Sequence, residues 1–192
     1  MKYLPILSLF MAAGLYSIGT AAADDKAEDM KHLLDFENAE TAPKWLSVND
    51  GVMGGLSKGT ADIKHGSLHF RGDISLENNG GFSSIRSLGN YDFSGKEALV
   101  MLVKGDGRTY QLRLATDARY KDSAVSYGAE FTTEIGKWVE VKIPFEALSP
   151  TWRGKKLDGP AFDASEVEEL GILIGDGKPG KFSLTVDWIA VK

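Results

Sequence analysis

The sequence contains no cysteine among its 192 residues. That excludes a disulfide scaffold, a thiolate zinc site and a cysteine nucleophile, and it leaves stability to a packed core. Histidine is nearly as scarce, with His32, His65 and His69 the only three. His65 and His69 are close in the chain, but on an extended strand their Cα atoms lie about 13 Å apart, too far for one ion. Basic residues are outnumbered, 22 Lys and Arg against 27 Asp and Glu. Nucleic acid, which demands a basic face to neutralise phosphates, is therefore not an expected partner. Repeats, proline-rich linkers and low-complexity tracts are also missing, so nothing marks a second domain.

Long apolar runs are missing too, except at the start. Leu4 to Ile18 is apolar but interrupted by Pro5, Ser8, Gly14 and Ser17, with Lys2 before it and Thr20-Ala21-Ala22-Ala23 after it. A positive start, a short apolar run and small residues before Asp24 fit a cleaved leader. Residues 1–23 thus read as a signal peptide and 24–31 as a mobile, charged lead-in. The expectation is an exported, periplasmic protein with no transmembrane segment after cleavage. Loss of Lys2 leaves 21 basic against 27 acidic residues, a net charge of −6.

Over the full chain the composition, 43% hydrophobic, 26% charged and 10% aromatic, is that of one ordinary globular domain, which is placed at residues 32–192. Its dominant signal is alternation. Tyr110, Leu112 and Leu114 alternate with Gln111 and Arg113; Val139, Val141 and Ile143 alternate with Glu140 and Lys142; Phe182, Leu184, Val186 and Trp188 alternate with Ser183, Thr185 and Asp187. Such segments lay one face on a core and leave the other polar. Ala98 to Val103 and Leu170 to Ile174 are almost wholly apolar and read as central strands. Asn49-Asp50-Gly51, Asn79-Gly80, Asp106-Gly107, Asp158-Gly159 and Asp176-Gly177 supply turns. The one helix signal is Asp163-Ala164-Ser165-Glu166, a capping box good for a turn or two before Leu170. Many short strands with little helix predict an all-β sandwich or jelly roll.

Motifs of catalytic type lack their contexts. Gly175-Asp176-Gly177-Lys178-Pro179-Gly180 matches the dinucleotide fingerprint, but a strand follows where a helix must, so it reads as a hairpin turn. Gly55-Leu56-Ser57-Lys58-Gly59 matches a nucleophile elbow, yet the only later histidines are His65 and His69, and Ser57 reads as a turn residue. Asp50 and Asp106 could join carbonyls around calcium, but turn capping is the commoner use of such residues. With 27 acids, no carboxylate pair stands out for glycoside hydrolysis. No catalytic residue, cofactor or metal ligand is assigned.

Four clusters go beyond core packing: Trp45 to Gly55 (Trp-Leu-Ser-Val-Asn-Asp-Gly-Val-Met-Gly-Gly), Glu77 to Arg86, Gly105 to Tyr110, and Trp138 through Ile143-Pro144-Phe145 to Arg153-Gly154. In this order, from about Leu34 to the C-terminus, they resemble the NADH:ubiquinone oxidoreductase complex I intermediate-associated protein 30 family. The resemblance implies a galactose-binding-like jelly-roll β-sandwich, a single all-β domain, and a non-catalytic, chaperone-like assembly role with a protein partner. A carbohydrate-binding module is the alternative, motivated by the fold and by Trp45, Tyr120, Tyr127 and Trp152 near turns; an unrecognised hydrolase comes third. The clusters, their turns and the polar sheet faces give the candidate partner-binding residues: Asn49, Asp50, Asn78, Asn79, Arg86, Asp106, Arg108, Arg113, Trp152 and Arg153. Arg113 is expected to pair with Glu130, and Arg108 and Arg153, beside turn glycines, to be surface residues.

Overall fold

A computed structural model describes residues 30–192. The alternating segments become strands: β1 Lys31–Leu34, β2 Leu46–Asn49, β3 Lys58–Lys64, β4 Ser67–Ile74, β5 Ser83–Tyr91, β6 Ala98–Lys104, β7 Thr109–Tyr120, β8 Ser123–Thr132, β9 Trp138–Pro144, β10 Ser149–Trp152, β11 Lys155–Lys156, β12 Val167–Ile174 and β13 Gly180–Val191. Helix among the described residues is limited to single 3-10 turns at Asp50–Met53, Glu77–Asn79 and Phe145–Ala147.

Two antiparallel sheets face each other. One runs β3-β4-β13-β6-β9, with β1 added on β13; the other runs β11-β10-β8-β7-β12-β5-β2. Their inner faces interdigitate, with Leu68, Phe70, Leu99, Met101 and Leu184 from the first sheet and Ile85, Leu112, Leu114, Tyr127 and Ile172 from the second all fully buried. Such apolar filling between sheets about 10 Å apart is the main stabilising term of a sandwich. The all-apolar segments sit inside their sheets: β12 lies between β7 and β5, and β6 between β13 and β9.

Three local expectations are corrected. Trp188 does not continue the Phe182, Leu184 and Val186 face. The pairing of β13 with β6 shifts register between Val186 and Trp188, and this bulge turns Ile189 and Val191 inward instead. Trp188 is left half-buried beside His32, ring centroids 5.0 Å apart. No helix starts at Asp163; its carboxylate Oδ1 accepts from the Ser165 N–H at 2.9 Å and Oγ at 2.7 Å, closing a tight turn that leads straight into β12. Gly175 to Gly180 is a connection between sheets, since β12 and β13 belong to different ones.

Candidate functional site

Register decides which candidates meet. Asn49 pairs with Ser83, Ser83 with Ile174 and Ile174 with Tyr110, so the loops leaving these positions gather at one end of the seven-stranded sheet. Asn49, Asp50, Asn78, Asn79, Asp106 and Arg108 are all there. Arg86 and Arg113 lie on the outer face of that sheet, and Trp152 and Arg153 at its opposite end, beyond the Thr151–Ser126 pair. The ten candidate partner-binding residues are thus divided among three places.

The first end is built on Asp50, whose side chain is fully buried. Its Oδ1 accepts the Ser57 N–H at 2.9 Å; Oδ2 accepts the Ser57 hydroxyl at 2.5 Å, the Gly81 N–H at 2.7 Å and the Phe82 N–H at 3.3 Å. Burial alone raises a carboxyl pKa, but these four donors, Ser57 Oγ foremost, outweigh it and hold Asp50 below the ordinary range. Space for the carboxylate comes from glycine: a Cβ on Gly55 would lie 2.4 Å from Asp50 Cγ, and one on Gly80 2.6 Å from Oδ2. Asn49 ties the neighbouring strand, accepting the Gly59 N–H at 3.0 Å and the Ser83 hydroxyl at 2.7 Å while donating to the Gly59 carbonyl at 3.2 Å. The Trp45–Gly55 and Glu77–Arg86 clusters are thus two halves of one staple. Asn78 and Asn79 form its exposed turn, both at positive φ, 55° and 56°.

Beyond the staple the chain holds apolar side chains outward. Val52 is 76% exposed, Met53 66%, Leu56 50% and Leu76 46%. The candidates named from sequence were all polar, charged or tryptophan, and missed this rim; the signal was Val52-Met53 and Leu56 standing inside a glycine-rich turn with no strand to pack them.

Arg108 and Asp106 brace the same end. Arg108 Nη2 meets Asp176 Oδ1 at 2.6 Å, and its Nη1 donates to the carbonyls of Gly180 and Lys181 at 3.1 Å each; Nη2 also donates to the Lys178 carbonyl. The side chain is 11% exposed, so Arg108 is not the surface residue expected of a position beside a turn glycine. Asp106 accepts the Tyr110 hydroxyl at 3.1 Å and the Ser183 N–H at 2.8 Å. Burial first, and then the Asp106 charge, push the Tyr110 phenol far above its ordinary pKa.

On the outer face Arg113 donates from Nε to Ser126 Oγ at 2.9 Å and from Nη1 to Gln111 Oε1 at 3.3 Å. It faces Gly128 across the ladder, not Glu130, which stands opposite Gln111. Arg86 Nη1 lies 3.7 Å from Glu169 Oε2. At the far end Trp152 meets Tyr120 edge-on at 5.4 Å, with Lys121 Nζ 5.4 Å and the Arg153 guanidinium 4.9 Å from its ring centre. A sugar needs an open ring face to stack on, and cations lie over this one. Among the described residues no group of three or more acids and histidines could hold a metal ion, and no helix is long and apolar enough to cross a membrane.

The two facing antiparallel sheets define a jelly-roll β-sandwich. Solved structures agree on the fold: a family 11 carbohydrate-binding module from Clostridium thermocellum superposes with a TM-score of 0.62 at 17% identity, covering 84% of this chain and 94% of that one. The agarase AgWH50C does so with 0.60 at 12%, covering 85% of this chain and 24% of that one. The sequence pattern of the complex I intermediate-associated protein 30 family matches residues 34–186, and the chain belongs to that family. Relatives include complex I intermediate-associated protein 30, mitochondrial, from Mus musculus, 28% identical over 85% of this chain and 56% of its own length. The Drosophila melanogaster protein of the same name is 25% identical over 83% and 62%. The chain therefore spans a little over half the length of these relatives. Both are mitochondrial proteins by name, which contradicts the exported, periplasmic location expected from the sequence. Residues 1–23, on which that expectation rested, lie outside the described residues.

Proposed function

We propose that this chain is a non-catalytic assembly module that binds a protein partner through the apolar rim Val52, Met53, Leu56 and Leu76. The observation that carries this is the pairing of exposed apolar side chains with a fully buried Asp50 at the base of their loop. Single exposed apolar residues are ordinary, whereas several on adjoining turns mark an interaction surface. Locking the loop before binding lowers the ordering entropy that association costs. Membership of the complex I intermediate-associated protein 30 family supports an assembly role and argues against enzymatic chemistry. Intermediates of respiratory complex I are the partners this family points to.

Photo-crosslinking tests it. A photoreactive residue at position 53 should give an adduct with a subunit or assembly factor of complex I, and one at Lys64, on the far sheet, should not. Adducts absent at position 53, or identical from both positions, would overturn the assignment of the rim.

A further inference from the structure

Two hairpin tips at the end opposite the rim are built alike. Lys121 and Asp122 close the β7–β8 hairpin between the paired Tyr120 and Ser123, and Arg153 and Gly154 close the β10–β11 hairpin between the paired Trp152 and Lys155. All four central residues have positive φ, 48° and 60° in the first turn and 47° and 78° in the second. Asn, Asp and Gly adopt this backbone at least cost, yet each tip opens with a long cation. Because β8 pairs with both β7 and β10, the tips stand side by side, and the Tyr120 and Trp152 rings meet with centroids 5.4 Å apart.

Charge at the tips runs against that of the chain, whose acids outnumber its bases 27 to 22. Arg119, Lys121, Arg153, Lys155 and Lys156 gather here, and all five are exposed. Arg119 is paired with Glu168 at 2.8 Å. The other four have no carboxylate within ion-pair distance among the described residues, and Asp122 is the one acid in the two turns. Lys121 Nζ and the Arg153 guanidinium both lie over Trp152, 5.4 Å and 4.9 Å from its ring centre. The ring thus holds two like charges together with no anion between them.

We infer that the paired tips are a docking surface for an anionic phospholipid bilayer. Hairpin tips project, and a plane of phosphates engages cations on both at once. Lys and Arg carry their charge on long apolar stems, and Tyr and Trp rings settle at the depth of the headgroups. Tyr120, 38% exposed, is placed for this beside Lys121, whose Nζ lies 5.5 Å from its ring centre. The four cations without an acidic partner reach the size at which a basic cluster recognises acidic lipid, about four to eight residues. With the tips on a membrane, the rim at the other end points away from it, open to the partner proposed above.

Co-sedimentation with vesicles tests it. The chain should bind vesicles of phosphatidylcholine containing about one-third phosphatidylglycerol, should not bind phosphatidylcholine alone, and should be released as salt screens the charges. Lys121→Gln and Arg153→Gln should each weaken binding about fivefold, the usual share of one basic residue near an acidic membrane, and Asp122→Asn should strengthen it. Lys155→Gln and Lys156→Gln, outside the positive-φ positions, should do the same as the tip variants and serve if those do not fold. The chain has no cysteine, so single labels report orientation. Vesicles should shield a nitroxide at Ala124→Cys from an aqueous relaxation agent, and should not shield one at Glu77→Cys beside the rim. Equal binding to neutral vesicles, unchanged binding in all the lysine and arginine variants, or shielding at Glu77→Cys in place of Ala124→Cys would overturn the inference. So would capture of a polyglutamate peptide without binding to the acidic vesicles, or binding of free glycerol phosphate as tight as that of the vesicles. A variant with Val52 and Met53 both changed to Ser should bind the vesicles like the parent, so failure of the rim and failure of the tips are separable.

Discussion

Arg108 and Asp176 form a nearly enclosed ion pair, Nη2 to Oδ1 at 2.6 Å and Nε to Oδ2 at 3.1 Å, with side chains only 11% and 6% exposed. The same guanidinium collects three backbone carbonyls, Lys178 in the connection and Gly180 and Lys181 at the start of β13, so one side chain ties the β6–β7 turn to the crossover between sheets. Removing one partner of such a pair leaves the other buried and uncompensated. Arg108→Ala should cost about 3 kcal/mol in folding free energy, measured by urea denaturation, whereas Arg153→Ala at an exposed turn should stay within about 0.5 kcal/mol. Equal small effects would show that Arg108 braces nothing.

Asp50 predicts a particular acid sensitivity. Its carboxyl pKa is lowered in the folded protein, so its contribution is fully present above the unfolded-state value, ordinarily 3.8, and is lost as pH falls through the folded value. Asp176 shifts the same way, chiefly through its hydrogen bonds to Arg108. Asp50→Asn should destabilise at neutral pH by about 2 to 3 kcal/mol, because charged acceptors of backbone N–H groups are replaced by a weaker, half-donating amide. It should also flatten the fall in stability below about pH 4. A variant whose stability tracks the parent's at every pH would remove Asp50 from the account.

The bulge in β13 separates two neighbours. Ile189 is fully buried, and Ile189→Ala should cost roughly 3 kcal/mol. Trp188, half-buried against His32, should cost less on truncation to Ala, about 1 to 2 kcal/mol given the apolar area it retains in solvent. A reversed order, read from thermal or chemical unfolding, would place the bulge elsewhere.

Much of the sandwich was legible from alternation, because Tyr110, Leu112 and Leu114 or Val139, Val141 and Ile143 can bury one face only as strands. The β13 bulge was not, since an extra residue in a ladder changes neither composition nor apparent period. The candidate end was legible as motif and obscure as chemistry. Asn49-Asp50-Gly51 has the composition of a turn, and nothing local shows that the Asp50 carboxylate finds its donors at Gly81 and Phe82, some 31 and 32 residues away. Arg108 misled for the same reason: its partners lie 68 to 73 residues along the chain. Arg113 looked like a cross-strand partner for Glu130, but the ladder sets it against Gly128, a registration that β7 and β8 alone do not dictate.

The central claim, an assembly module acting through a stapled apolar rim, is tested most directly by the amount of mature complex I in cells lacking this chain. Native gel electrophoresis should show less mature complex and accumulated subassemblies; the parent chain should restore it. The variant with Val52 and Met53 both changed to Ser should fail to restore it, although its melting temperature lies within a few degrees of the parent's, as expected of surface substitutions. Undiminished complex I in the deletion, or full restoration by the rim variant, would contradict the account.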